Sequence, residues 1–274
     1  MKSPRANAHT NARTPRPAAL PDVSISEADG VRHLHLDSPW IQGSMRIAKP
    51  LELELEYVQR MMAWLLFVEP DAVPDLHAMQ LGLGAAALTK FCYKRLGMRT
   101  TTIELNPQVV AACMRWFRLP ENDERLQVLV ANAQDAVQDP DWHGSVDALQ
   151  VDLYDHDAAG PVLESAQFYG HCHAMLAEGG CMSVNLFGRT ASFERNMRHI
   201  AAAFGPQALW HFKPTHEGNT ILLARKGGAE VSRPLMRQRA QVIEARWKLP
   251  ARLWVQALQR WQSSEPAPIT APRF

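Results

Sequence analysis

The chain has 274 residues, 46% of them hydrophobic and 21% charged. This is typical of a globular protein that is large enough to bury a full core without disulfide bonds or structural metal ions. It has no apolar run of the ~18 residues that a membrane helix needs, no apolar signal-peptide segment and only four scattered cysteines, so we expect a cytoplasmic protein with no membrane contact. The basic excess lies in residues 1–20 and 228–262, which leaves residues 21–227 acidic, so the charge argues against nucleic acid and favours a cationic ligand.

The first quarter of the chain divides into three predicted regions. Residues 1–20 are rich in Pro, Ala, Asn and Arg without periodicity, which predicts a disordered tail. Residues 21–50 predict a small β region, with a hairpin turn at Asp29-Gly30 and a third short strand at 41–47. A helix is predicted to begin at Pro50 and to reach Val68, because apolar residues recur on one face.

Residues 51–226 form the predicted nucleotide-binding domain, in which strands and helices alternate. This alternation predicts an α/β fold with a mostly parallel sheet covered on both faces. Seven strands are predicted, at 78–81, 100–103, 126–130, 146–151, 181–186, 209–212 and 220–224. The last two face each other across Gly218-Asn219, and such an antiparallel end is typical of a methyltransferase-like, Rossmann-like sheet. Residues 227–274 predict a basic helical segment and tail.

Ligands of such sheets bind at the carboxyl ends of the strands, where several polar residues and glycines stand. Gly82 and Gly84 follow the first strand of the domain, and glycines in a strand-to-helix turn let a ligand approach the backbone. Glu104 ends the next strand, and its carboxylate could accept both hydroxyls of a ribose. Asn132 follows the third strand, where an adenine amino group could be met. A tight turn, a solvated acid and a turn-forming asparagine are the plainer alternatives.

Three carboxylates follow the fourth strand of this domain, at Asp152, Asp155 and Asp157. Their negative field would attract an amine, and one of them could hold its proton. The alternative is a hydrophilic loop with capping aspartates. His171 and His173 lie two apart on a predicted helix and point to different sides, so we expect no metal site.

Four segments in this order, QLGLGAAAL, IELNP, VANAQDA and VDLYDHDAAGP, resemble the polyamine aminopropyltransferases, the spermidine synthase family, over about residues 30–226. The resemblance implies transfer of an aminopropyl group from decarboxylated S-adenosylmethionine to a diamine, with release of methylthioadenosine. It also implies roles by position. The nucleoside would be held by Gly82, Gly84, Glu104 and Asn132, the catalytic base would be Asp152, and the amine would be bound by Asp155, Tyr154, Tyr57 and Gln42.

The sequence departs from the family at the glycine-rich turn, where the family's aspartate is replaced by Ala85. The donor could therefore be S-adenosylmethionine, which would make the chain a methyltransferase. A non-catalytic module that binds an adenosyl ligand, with basic C-terminal helices docking a partner, is the other alternative. No tightly bound cofactor is expected, and the family's frequent dimers leave a homodimer open.

Overall fold

The computed structural model describes residues 20–153, 163–187 and 190–262. Its first unit is a three-stranded antiparallel sheet of β1 (Val23–Ala28), β2 (Val31–Leu36) and β3 (Gly43–Arg46). The predicted hairpin turn is confirmed, because Asp29 and Gly30 both have positive φ, at 51° and 76°, as a two-residue turn between twisted strands requires. The tail predicted for residues 1–20 lies outside the described residues except for Leu20.

The helix predicted from Pro50 to Val68 is wrong at both ends. The α-helix α1 covers only Glu56–Met61, and a tighter 3-10 helix follows at Met62–Phe67. Residues 51–55 alternate leucine and glutamate and are not helical, and in this conformation the Leu53 side chain is buried. This burial keeps the helix from starting earlier. All six residues of the 3-10 segment are buried, so core packing on every side, rather than an amphipathic stripe, decides their conformation.

The main sheet confirms the predicted fold class and has eight strands in the order β11-β9-β10-β8-β7-β4-β5-β6. The five strands from β4 to β8 are parallel, and β10, β9 and β11 continue the sheet antiparallel to their neighbours. The strands are β4 (His77–Leu81), β5 (Arg99–Glu104), β6 (Leu126–Val130), β7 (Val146–Val151), β8 (Leu176–Phe187), β9 (Leu209–His211), β10 (Asn219–Arg225) and β11 (Gln259–Arg260). The eighth, β11, was not predicted because two residues carry no periodicity.

Helices cover both faces of this sheet. One face packs against the 3-10 segment and the C-terminal helices, and the other packs against the helices at Ala166–Met175 and Thr190–Phe204. The remaining helices are α2 (Ala87–Lys90), α3 (Pro107–Trp116), α4 (Ala133–Ala136), α5 (Ala166–Met175), α6 (Thr190–Phe204), α7 (Arg233–Trp247) and α8 (Ala251–Ala257). In the parts of the chain that the structure describes, no helix is both long and apolar enough to cross a membrane.

The C-terminal basic segment is two helices rather than one. Helix α7 ends where Lys248 adopts a left-handed backbone (φ 60°). Pro250 stands directly before α8, and one continuous helix does not run through it because proline lacks the N–H that a continuing helix needs. Both helices belong to the core, through the buried side chains of Met236, Ile243 and Trp254.

Candidate active site

A cavity of about 700 Å³ lies at the carboxyl ends of β4, β5, β7 and β8, beneath the loop that joins β2 to β3. Its position follows from topology, since β4 has β5 on one side and β7 on the other and the chain reverses its direction of winding there. The cavity brings together every predicted site residue that the structure describes: Gln42, Tyr57, Gly82, Gly84, Glu104, Asn132 and Asp152. The other two, Tyr154 and Asp155, lie outside the described residues.

The two glycines of the turn after β4 are required by close backbone contacts. Gly82 has φ +94°, and a Cβ there would lie 2.3 Å from the carbonyl oxygen of Asp152. Gly84 has φ +50°, and its Cβ would lie 3.0 Å from the carbonyl oxygen of Gln42. The plainer explanation, a tight turn, therefore accounts for both glycines, and because the same turn lines the cavity their contact with a ligand stays a prediction.

Glu104 joins the glycine turn to the end of β5. Its Oε2 accepts the backbone N–H of Leu83 at 3.0 Å, and its Oε1 accepts that of Asn106 at 2.8 Å. Burial raises the pKa of this carboxyl, while the backbone N–H donors oppose the rise. The backbone N–H of Leu105 also acts on this carboxylate, which lines the cavity and could accept a ribose hydroxyl there.

Asn132 is the N-cap of α4, and its Oδ1 accepts the backbone N–H of Gln134 at 2.9 Å. The side chain is exposed at the cavity wall. Because the cap engages the oxygen, the amide nitrogen is the natural ligand donor, and it suits a ring nitrogen of a base better than an amino group.

Asp152 follows β7 and is half-buried. Its Oδ1 accepts the Asn185 amide N–H at 2.9 Å, and the Tyr57 hydroxyl also donates to its carboxylate. Burial raises the pKa of Asp152, and the two hydrogen bonds partly offset that rise. A carboxylate with raised proton affinity, held by two donors at a cavity wall, is suited to accept a proton from a bound cation.

Three cavity residues were missed from the sequence. Asn185 lies inside the buried strand β8, where a polar residue within an apolar run was the only signal. Asn219 and Glu217 lie in the β9–β10 hairpin, which the sequence identified only as a turn. Hydrogen bonds across neighbouring strands bring the hairpin to the site, because Asn219 donates to the Asn185 oxygen at 3.1 Å.

The charge lining the cavity has one sign. Four carboxylates line it, those of Glu56, Glu104, Asp152 and Glu217, and the described lining residues include no lysine or arginine. Residue 85 is an alanine and contributes no charge; its side chain is 2% exposed and packs so close to Gly43 that a Cβ on Gly43 would lie 2.7 Å from the Ala85 Cβ. The cavity is therefore built for a cationic guest.

Comparison with known proteins gives one consistent result. The chain is 29% identical over 244 residues to the polyamine aminopropyltransferase of Chromobacterium violaceum, covering 88% of this chain and 91% of that protein. It is 30% identical over 211 residues to the enzyme of the same name from Neisseria meningitidis serogroup A, covering 77% and 78%. A crystal structure of a probable spermidine synthase from Corynebacterium glutamicum has the same fold, with a TM-score of 0.66 at 19% identity over 91% of this chain and 95% of that one. No protein-family model matches the sequence.

Proposed function

The chain belongs to the polyamine aminopropyltransferase family, and from this premise we propose that its 700 Å³ cavity is where an aminopropyl group passes from decarboxylated S-adenosylmethionine to a diamine. The observation that carries the assignment is the placement of Glu104 and Asp152 in one cavity. They end the strands on either side of β4, and two strand spacings separate them by roughly 10 Å. One carboxylate can hold the sugar while the other faces the reacting amine.

The reaction is a displacement at carbon. A diamine is protonated at neutral pH, since the pKa of an alkyl ammonium is near 10. Asp152 takes one proton, and the freed nitrogen lone pair attacks the aminopropyl carbon attached to the sulfonium. The carbon–sulfur bond breaks, its electron pair stays on sulfur, and methylthioadenosine leaves. Alignment of nitrogen, carbon and sulfur in the cavity contributes several kcal/mol, and a positioned base about 10² to 10⁴-fold in rate.

The charge of the cavity supports the decarboxylated donor. S-adenosylmethionine carries an α-carboxylate, which the lining carboxylates would repel; of the four that are described, Glu56 is paired with Arg60, which leaves Glu104, Asp152 and Glu217. The decarboxylated donor lacks that group and carries only positive charge. Because residue 85 is an alanine, the donor's ammonium would be met by another lining carboxylate, such as Asp152.

The test compares the wild-type protein with Asp152→Asn, a variant of the same shape. We expect the wild type to release methylthioadenosine from decarboxylated S-adenosylmethionine and a diamine, and to release no S-adenosylhomocysteine from S-adenosylmethionine. Asp152→Asn should lower turnover at least about a hundredfold, while calorimetric binding of methylthioadenosine persists. Unchanged turnover in the variant would reject Asp152 as the base, and S-adenosylhomocysteine as the product would reject the donor.

A further inference from the structure

The β9–β10 hairpin places Glu217 in the lining of the cavity. Thr215 organises the turn: its N–H donates to the Asn219 oxygen at 2.8 Å, its oxygen accepts the Gly218 N–H at 3.0 Å, and its hydroxyl accepts the Asn219 N–H at 3.2 Å. Gly218 has φ +97°, and a Cβ there would lie 3.1 Å from the Phe187 ring. These contacts fix where the Glu217 backbone stands.

A chain of two amides connects this hairpin to the proposed base. Asn219 donates to the Asn185 oxygen at 3.1 Å, and Asn185 donates to Asp152 at 2.9 Å. Glu217 is two residues from Asn219 in the chain, and its side chain and that of Asp152 both line the cavity. A linear cation in the cavity could therefore contact both carboxylates.

Among the described lining residues, two of the other carboxylates have partners in the protein. Glu104 accepts backbone N–H groups at the sugar side, and Glu56 forms an ion pair with Arg60 at 2.5 Å. Glu217 accepts its own backbone N–H and the Thr215 hydroxyl, and these donors, with the nearby charges of His216 and Arg60, hold the pKa of its carboxyl below the usual value. Glu217 is therefore ionised and exposed to the cavity, where it can accept a cation.

We propose that Glu217 binds the distal ammonium of the acceptor and thereby selects a diamine over a monoamine, an inference that rests on the proposed aminopropyl transfer. The attacking nitrogen gives up its proton at Asp152, whereas the second nitrogen stays charged throughout the reaction. Glu217 would contact that second nitrogen equally in the ground state and the transition state. Its contribution belongs to KM rather than to kcat, since it binds both states alike.

The test uses Glu217→Gln with Glu230→Gln as the control, because Glu230 is an exposed glutamate that pairs with Arg260 and does not line the cavity. Acceptors are a series of α,ω-diamines of three to six carbons and the monoamine equivalents. With the best diamine, Glu217→Gln should raise KM about tenfold or more with kcat within twofold, and KM for the monoamine should not change. Glu230→Gln should leave both constants within twofold.

If the wild type is active, two results would overturn the inference. One is that Glu217→Gln changes KM for the diamine by less than twofold, and the other is that it raises KM equally for the diamine and the monoamine. Methylthioadenosine affinity and the melting temperature, measured on each variant, identify a folding defect. A wild type that transfers nothing to any diamine would contradict the proposed function itself, and it is thus distinguishable from a failure of the Glu217 assignment.

Discussion

Asn185 determines how strongly Asp152 holds its proton. The Asn185 amide is 3% exposed, and its orientation is fixed because its oxygen accepts from Asn219 while its nitrogen donates to Asp152. The donated hydrogen bond stabilises the ionised carboxylate, so it opposes the pKa rise that burial causes. Without it, the proposed base would be protonated, and therefore inactive, at a higher pH.

We expect Asn185→Leu to move the acidic limb of the kcat–pH profile upward. Loss of a hydrogen bond to a charged group corresponds to about one to two pH units, and the sign is upward because the variant removes an influence that lowers the pKa of Asp152. The measurement is initial rate against pH. Ser183→Ala is the control, since Ser183 is buried on the same strand with an oxygen that has no hydrogen-bond partner among the described residues; an equal shift in both variants would refute the assignment.

The sequence located the residues at strand ends but not those brought in from neighbouring strands. Glu104 and Asp152 could be predicted because Glu104 ends a β-branched strand and Asp152 directly follows an apolar one, and parallel strands end at one edge. Asn185 and Glu217 depend on the pairing of β8 with the antiparallel β10, and no local pattern encodes that register. Tyr57 reaches the site from a helix whose predicted start was six residues early, so family resemblance pointed to this tyrosine, whereas the helix pattern gave no reason to place it beside Asp152.

Helix α7 shows that a basic element can also belong to the core. Docking of a partner by the basic C-terminal helices stays an untested alternative, and two of the arginines of α7, Arg239 and Arg246, pair with Glu69 and Asp71 of the same chain. The apolar side of the helix packs against the 3-10 segment Met62–Phe67. Helix α7 therefore completes the hydrophobic core on one face of the sheet, and its ion pairs lie at the edge of its contact with the 3-10 segment.

We expect Ile243→Ala to lower the free energy of unfolding by about 2–5 kcal/mol, because it leaves a cavity at a fully buried position of α7. Gln241→Ala, two residues away on the exposed side, should change it by less than about 0.5 kcal/mol. Urea denaturation of the two variants measures the difference. Equal stabilities would mean that α7 is not part of the cooperative core.

The molecule as a whole combines a small antiparallel sheet with a larger mostly parallel one, and the cavity lies where they meet. Alternation of strands and helices was enough to predict the larger sheet, since consecutive parallel strands need a crossover connection, which is usually a helix. The depth of the cavity could not be predicted, because it depends on the β2–β3 loop and the β9–β10 hairpin closing over the strand ends. Those long-range contacts convert a row of carboxylates into an enclosed acidic site.

A crystal structure of the protein with methylthioadenosine tests the central claim most directly. We predict that the nucleoside lies in the 700 Å³ cavity, with the two Glu104 oxygens at about 2.6–3.0 Å from the two ribose hydroxyls and with the sulfur directed toward Asp152. A nucleoside bound elsewhere, or a ribose in the cavity without contact to Glu104, would contradict that claim.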